Sequence, residues 1–459
     1  SVLYSEALDA KVIPTIHPSF ALRYGNFLHQ YYILHDLIRI LKDSIAPEMN
    51  LPYREYKIAP SFNDCLEYLH QCNRSSHVAF DIELAFPTKS LVNEVGCISF
   101  SKESKDAISI PFIVGGKDYF TLEQETEIWV KIAKLLENPK VIKIAQYGFF
   151  DWTFMFERYG CRIQPTLDDT QVAQGILEPD FKRDLGFITS IHSREPYYKD
   201  ESKFRKKGGT DQDYWLYNAK DSVVLQDVHP KQYNDLQQVD NVEAYDVERS
   251  LIEPLVYLTK RGLRMDKEGL KRERTRIEEG MAKVKEEIFD ATNGEINNPN
   301  AHKQVQTYFY ITKSIKAYTH RKTGNVTSDD TALTRIAIRG YKEADLLLKF
   351  RRLAKMRSTY YGMMLDDDDR LRCSWDFAVS GRLTSSKTLF DTGMNMQNQP
   401  KEMREYMLPD EGYLAYSIDL PQAEPRIMAY IAPEPLMQRA FENNIDIHAQ
   451  TAGLIFGIP

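Results

Sequence analysis

Between residues 56 and 235 short strand-like runs alternate with amphipathic helical ones, and this alternation constrains the fold more than any other feature of the chain. HVAFDIELAF (77–86), GCISF (96–100) and DAISIPFIV (106–114) have the β-branched and aromatic content of strands. IWVKIAKLLEN (128–138) spaces its apolar residues as a helix does, and KVIKIA (140–145) returns to a strand. Strands interleaved with helices stack into layers, so the fold class expected here is α/β. From 241 the texture changes. EAYDVERSLIEPLVYLTKRG (243–262) and DKEGLKRERTRIEEGMAKVKEEIFDATNG (266–294) read as two long charged helices, closed by Gly262 and Gly294.

Ahead of the α/β pattern, residues 1 to 45 read as a strand, a turn at HPSF and a helix over YYILHDLIRIL, and the proline-containing stretch IAPEMNLPYREYKIAP (45–60) reads as a linker. The acidic run DDDD (366–369) reads as a solvated turn. A length of 459 residues suggests several domains. No run of about 18 apolar residues is present to span a membrane, and no signal-type segment opens the chain, which starts at Ser1 rather than Met. Cys65, Cys72, Cys97, Cys161 and Cys373 are odd in number and form no C-x-x-C pair, which argues against a disulfide framework or a zinc site and fits a reducing, cytoplasmic setting. The net charge of −7 argues weakly against a polyanionic partner, but binding depends on where charge gathers. Cations gather in KFRKK (203–207), KRERTR (271–276) and KFRRLAKMR (349–357), each of which taken alone is as consistent with a solvated face.

The acids carry more information. On a strand, residues two apart share a face, so Asp81 and Glu83 present two carboxylates to one point, where their mutual repulsion calls for a cation. Asp151 follows a strand at the start of an expected helix, and Tyr217 and Asp221 lie four apart on one helical face. D-x-E, then an Asp after a strand, then Y-x-x-x-D, with LDDTQVAQGIL placing Asp169 and Thr170 between them, resembles the proofreading 3′–5′ exonucleases of the four-acid, tyrosine-containing type.

That resemblance implies a ribonuclease H-like domain over 61–238, a mixed sheet flanked by helices. It implies that Asp81, Glu83, Asp151 and Asp221 are catalytic and hold two divalent metal ions, Mg²⁺ or Mn²⁺, while Tyr217 orients the attacking water. Where the family has Asn in Q-N-x-x-F-D, this chain has Tyr147 after Gln146, a difference that bears on how the terminal nucleotide is held.

From about 240 onward LLLKFRRLAKMRSTYYG, SGRLTSS, NMQN, DLPQAEPR and DIHAQTA resemble, in order, the family A DNA polymerases related to bacterial DNA polymerase I, of a phage-like type. The resemblance implies a helical thumb over 239–370 and the first part of an α+β palm over 371–459. Lys355, Arg357 and Ser358 would grip duplex backbone. Arg382, Asn395, Gln397 and Asn398 would follow the DNA near the primer end, although the spacer between Arg382 and Asn395 is longer than in the family. Asp419, expected at the end of a strand, would be a catalytic metal-binding carboxylate. Gln422, Glu424 and His448 would meet the nucleotide, with Arg426 as a buttress.

Pro425 is expected to kink the helix that follows Asp419. The family's later R-x-x-x-K helix and His-Asp pair are expected beyond Pro459, so the chain is expected to end inside the palm. KVIPTIHPSFALR resembles the last motif of the uracil-DNA glycosylase superfamily, so residues 1–45 are expected to be a remnant of such a domain with His17 at the catalytic or phosphate-contacting position, followed by a linker at 46–60.

The sequence is thus expected to encode a DNA polymerase with proofreading exonuclease, acting in replication or repair in the cytoplasm, that of a bacterial host if phage-encoded. Its expected partners are single-stranded DNA, primer-template and, with a completed polymerase site, deoxynucleoside triphosphates. Two alternatives are a stand-alone 3′–5′ exonuclease with a DNA-clamping carboxyl-terminal region and an inactive DNA-binding scaffold; the second would be signalled by loss of metal acids, and all four are present.

Overall fold

A computed structural model describes residues 2–24, 27–46, 48–85, 93–164, 167–203 and 209–457. Most of the basic run 203–207 lies outside them. The chain forms two compact bodies, Ser1–Met407 and Leu408–Pro459.

The first body opens with a hairpin, β1 (Leu3–Ser5) and β2 (Ala10–Val12), and two helices, α1 (Pro18–Tyr24) and α2 (Phe27–Asp43). HPSF is therefore a helix start rather than a free turn. Proline is favoured at the first helical position because its missing amide would have had no partner there. Tyr32 of α2 packs its ring against Phe181 and Phe187, and Asp43 pairs with Arg194 at 2.8 Å, so this segment rests on the α/β layer.

That layer runs β3 (Glu55–Lys57), α3 (Phe62–Cys72), β4 (His77–Leu84), β5 (Val95–Glu103), β6 (Asp106–Pro111), a small hairpin of β7 (Ile113–Val114) and β8 (Lys117–Asp118), α4 (Leu122–Leu136), β9 (Ile142–Ala145), α5 (Gly148–Tyr159), β10 (Leu167–Asp169), α6 (Thr170–Leu177), α7 (Leu185–His192) and α8 (Asp211–Gln238). The main sheet has the order β10-β9-β4-β5-β6-β3 and is mixed, with β5 antiparallel to both its neighbours. Its central strand β4 divides its side chains by parity. Val78, Phe80 and Ile82 enter one core with Leu69 of α3 and Ile128, Ile132 and Leu135 of α4. Ala79 enters the other, with Ala219, Val223 and Val224 of α8. The period of two therefore turns Asp81 and Glu83 toward α8. The five cysteines are buried and free.

The long helix expected over 243–262 is two helices, α9 (Val242–Ser250) and α10 (Ile252–Arg261). Pro254 cannot give the Ser250 carbonyl the amide that a continuous helix would supply, and the chain breaks between them, with Pro254 in the first turn of α10. After β11 (Leu263–Met265) come α11 (Lys267–Ala291), α12 (His302–Gln306), α13 (Asp330–Ile338) and α14 (Lys342–Lys355), whose core joins Val284, Ile288, Phe309, Leu333, Ile336 and Leu347. β12 (Arg370–Leu371) pairs with β11, and β13 (Ser374–Phe377) forms a hairpin with β14 (Leu383–Ser386). The DDDD run is not simply solvated. Asp366 and Asp368 accept from Arg372, and Asp369 from Lys267, at 2.6–2.8 Å.

The second body carries α15 (Ala423–Ile431), α16 (Pro435–Glu442) and α17 (Ile447–Phe456). The strand expected to end at Asp419 is absent among the described residues: 413–420 is irregular, and without a paired neighbour an extended segment has no ladder to stabilise it. The kink expected at Pro425 is also absent. α15 starts at Ala423, so Pro425 sits in the first turn, where no amide is required.

Candidate active site

α8 begins with Thr210 as N-cap and a reciprocal capping box with Asp213, and it lies across β4 and β5. Along one of its faces come Tyr214, Tyr217, Asn218 and Asp221, the i, i+3, i+4, i+7 spacing of a helical stripe. That stripe meets Asp81 and Glu83. The Asn218 amide Nδ2 donates to Asp81 Oδ2 at 2.8 Å and to the Asp81 carbonyl at 3.0 Å, and the Tyr214 hydroxyl donates to Glu83 Oε2 at 2.7 Å. Asp81, Glu83 and Asp221 each bring one carboxylate oxygen to within 4.8 Å of the others.

Asp151, in the first turn of α5, adjoins them: its Oδ1 accepts the amide of Ile82, between the two acids of β4, at 3.0 Å. It stands outside the three-acid group. Burial and the neighbouring carboxylates push the Asp81 acid well above the usual range, and burial pushes that of Asp151 up to about 8. Carboxylate oxygens of Asp81, Glu83 and Asp221 drawn together in this way suit a cation of charge two, which satisfies several oxygens at once.

Tyr217 lies next to Asp221, and burial followed by the charge of Asp221 raises its phenol far above the ordinary value. It therefore stays protonated and can donate a hydrogen bond but not act as a base. Behind the site, Asp169 caps α6 through Gln171 and Val172 and also accepts the amides of Tyr147 and Gly148, fixing the entry to α5. Tyr147 takes a left-handed backbone there, φ 57°, a conformation that Asn tolerates far better than a bulky residue.

Four contributors escaped the sequence reading: Asn218, Tyr214, Tyr198 and Lys199. The first two follow from the α8 stripe once Tyr217 and Asp221 are placed on it. Lys199 opens a separate helical turn, Lys199–Lys203, Tyr198 immediately precedes it, and no local pattern marks either. The Tyr198 hydroxyl donates to Asp221 Oδ1 at 2.7 Å, and Lys199 Nζ donates to both Asp221 oxygens at 2.9 and 2.7 Å.

In the helical region Lys355 ends α14 and is exposed, Arg357 pairs with Glu278 at 2.7 Å, and the Ser358 hydroxyl turns back onto the Ala354 carbonyl. The two separated halves of the next motif meet. Asn395 Oδ1 accepts the Ser385 hydroxyl at 3.1 Å and the amides of Gln397 and Asn398, and Gln397 Nε2 donates to the Leu383 carbonyl at 2.6 Å. Arg382 is exposed at the tip of the same hairpin.

The long spacer closes through Gly393, whose φ of 70° and close approach to the Arg372 carbonyl leave no room for a Cβ. In the second body Asp419, Glu424 and His448 are exposed, and Gln422 holds a left-handed backbone at the start of α15. Arg426 Nε donates to the Pro421 carbonyl at 3.0 Å, and its guanidinium lies over the Phe441 ring. Asp446 is the N-cap of α17, accepting the amides of His448 and Ala449. His17, by contrast, caps α1, its Nδ1 accepting the Ser19 amide.

A mixed sheet with a carboxylate cluster between β4 and α8 defines the class. Residues 56–237 match the 3′–5′ exonuclease family and residues 267–459 match DNA polymerase family A. The chain is 27% identical over 358 residues to DNA polymerase I of Rhizobium leguminosarum, covering 72% of this chain and 34% of the relative. It is 22% identical over 418 residues to DNA polymerase I of Pseudomonas aeruginosa, covering 85% of this chain and 45% of the relative. The chain thus spans less than half the length of these curated relatives. The structure of the POL domain of Pol1 from M. smegmatis, solved in complex with DNA primer-template and dNTP, has the same fold at a TM-score of 0.65 and 18% identity, over 88% of this chain and 68% of that one. Residues 267–459 are thus a DNA polymerase family A region and residues 56–237 a 3′–5′ exonuclease domain.

Proposed function

We propose that this chain removes nucleotides from the 3′ end of single-stranded DNA in a metal-dependent hydrolysis, and that its carboxyl-terminal part serves template-directed DNA synthesis. The observation that carries the reading is the convergence of Asp81, Glu83 and Asp221 within 4.8 Å, with Asp151 hydrogen-bonded to the strand between the first two. Three oxygen donors from rigid elements suit a hard divalent cation such as Mg²⁺ or Mn²⁺. Asp81, Glu83, Asp151 and Asp221 would hold two such ions, which when bound supply an activated water and neutralise charge at the phosphate and the departing 3′ oxygen.

The chain's own groups do the positioning. Asn218 donates to Asp81 Oδ2 and Tyr214 to Glu83 Oε2, so α8 fixes the orientation of both carboxylates. Tyr217, kept protonated, offers a hydrogen bond that orients the water in line with the phosphorus. Primer-template would be met by Lys355, Arg357 and Ser358 and by Arg382, Asn395, Gln397 and Asn398, and the incoming nucleotide and its metal by Asp419, Gln422, Glu424 and His448. The pairing of Ser385 with Asn395 supports treating the two halves of the hairpin motif as one DNA-facing element.

The test is the double variant Asp81→Ala, Glu83→Ala, assayed on a 5′-labelled single-stranded oligonucleotide with Mg²⁺ or Mn²⁺. Release of 3′ nucleotides should fall to background, because neither metal keeps its ligands. An undiminished rate, with contaminating nuclease excluded, overturns the assignment.

A further inference from the structure

The carboxylate cluster contains a lysine that the exonuclease reading does not use. Lys199 Nζ lies 2.9 and 2.7 Å from the two oxygens of Asp221 and 4.5 Å from the centroid of the Tyr217 ring. It therefore touches both the last of the four acids and the water-orienting tyrosine.

Its placement is built rather than incidental. Tyr198, 4% exposed, is buried beside it and donates to Asp221 Oδ1. Two residues further on Glu201 accepts Lys220 of α8 at 2.8 and 2.9 Å. The turn is thus fastened to α8 on both sides of Lys199 without the help of the Lys199 side chain. Its ammonium can be removed while the turn keeps its anchors.

We propose that Lys199 is a positioning residue of the exonuclease site, a fixed counter-ion that holds Asp221 and the Tyr217 face in register and opposes metal entry to a limited degree. The inference rests on the exonuclease reading above. The reason is electrostatic. Three carboxylates gathered around one point, with Asp151 beside them, repel one another, and a single ammonium bonded to one of them keeps that carboxylate oriented before a metal arrives. When a divalent cation enters, Asp221 must share its oxygens between the metal and Lys199, so the lysine weakens metal binding while preserving the geometry that the reaction needs.

This predicts opposite movements of affinity and rate, which a loosened site would not give. Lys199→Met should bind Mn²⁺ at the exonuclease site about tenfold more tightly, since one positive charge close to the ion is lost. Its kcat for 3′-terminal hydrolysis should fall by about 10- to 100-fold with KM for a thymidine oligonucleotide changed less than about twofold, as for an interaction realised in the transition state. Lys199→Arg, which keeps the charge, should retain the original Mn²⁺ affinity and recover most of the rate.

Binding is measured calorimetrically on the whole chain, with the Asp81→Ala, Glu83→Ala variant subtracted to isolate this site. Unchanged or weaker Mn²⁺ binding by Lys199→Met, a kcat within about twofold of the original, or loss of the original affinity in Lys199→Arg would each overturn the proposal. If the unaltered chain shows no metal-dependent hydrolysis, or the double variant matches it, the exonuclease reading itself fails. If those two controls behave and Lys199→Met is indistinguishable from the unaltered chain, only the role of Lys199 is lost.

Discussion

Asp151 shows how far one residue's environment can move its chemistry. Burial pushes its acid up to about 8, against which the amides of Ile82 and of Asp151 itself act in the opposite direction. Its folded pKa lies above the unfolded value, so the folded chain keeps a proton that the unfolded chain has already released. That contribution to metal-free stability is complete below about pH 4 and is lost as pH rises toward about 8. A metal competes with the same proton, so its affinity should rise with pH up to about 8 and then level off. Melting followed in EDTA and in Mn²⁺ between about pH 5.5 and 9 should show a falling EDTA midpoint and a growing Mn²⁺ shift. A shift independent of pH would mean that the cluster is already ionised without metal. At the same scale, Tyr147 shows why a departure from a family pattern needs backbone information. A left-handed backbone at a bulky residue costs about 1–2 kcal/mol relative to its ordinary conformation, and the sequence shows the substitution but not the φ angle it must adopt.

At the scale of elements, α8 is the piece on which the exonuclease site is assembled, and its stripe of Tyr214, Tyr217, Asn218 and Asp221 was half legible. The pair four residues apart was evident, whereas the two helpers became meaningful only when the helix was laid against β4. α14 makes a different point. Lys355 is exposed at its end, but Arg357 is already paired with Glu278 at 2.7 Å, and an arginine with its own carboxylate releases less counter-ion on meeting a phosphate. Replacing Lys355 by Ala should lower the slope of log K against log salt for duplex binding by about one unit, and Arg357→Ala by less. Glu278→Ala should raise duplex affinity at low salt. Slopes identical to the original in the Lys355, Arg357 double variant would show that this helix end does not touch phosphate. The division of 243–262 into α9 and α10 was readable in principle from Pro254, but the apolar periodicity continues across it and outweighs a single residue in a pattern-based reading.

At the scale of the molecule, the first body has closed cores on both faces of its sheet, while the second leaves much of its apolar surface in water. Ile427, Ile431 and Phe456 are 57%, 74% and 72% exposed. Exposed aliphatic and aromatic residues on neighbouring helices favour association. The chain should therefore self-associate with rising concentration, read by sedimentation or light scattering. Ile431→Ser with Phe456→Ser should shift association to about tenfold higher concentration without lowering exonuclease turnover, because every carboxylate of that site lies in the first body. Association unaffected by the double change would place the sticky surface elsewhere.

By itself the sequence determined the alternation of strands and helices, the period-two placement of Asp81 and Glu83, the four-residue spacing of Tyr217 and Asp221, and the order of motifs that marks a family A polymerase with an exonuclease domain. These are local or ordered properties, written in side-chain periodicity and spacing. Only the tertiary structure decided that Lys199 and Tyr198 approach Asp221 from another turn, that Asn218 and Tyr214 hold the acids of β4, that Ser385 closes on Asn395 across a long spacer, and that Arg357 is already partnered. The physical reason is that a contact between residues distant in the chain depends on how whole elements pack, and packing answers to buried area and shape that no short stretch of sequence contains.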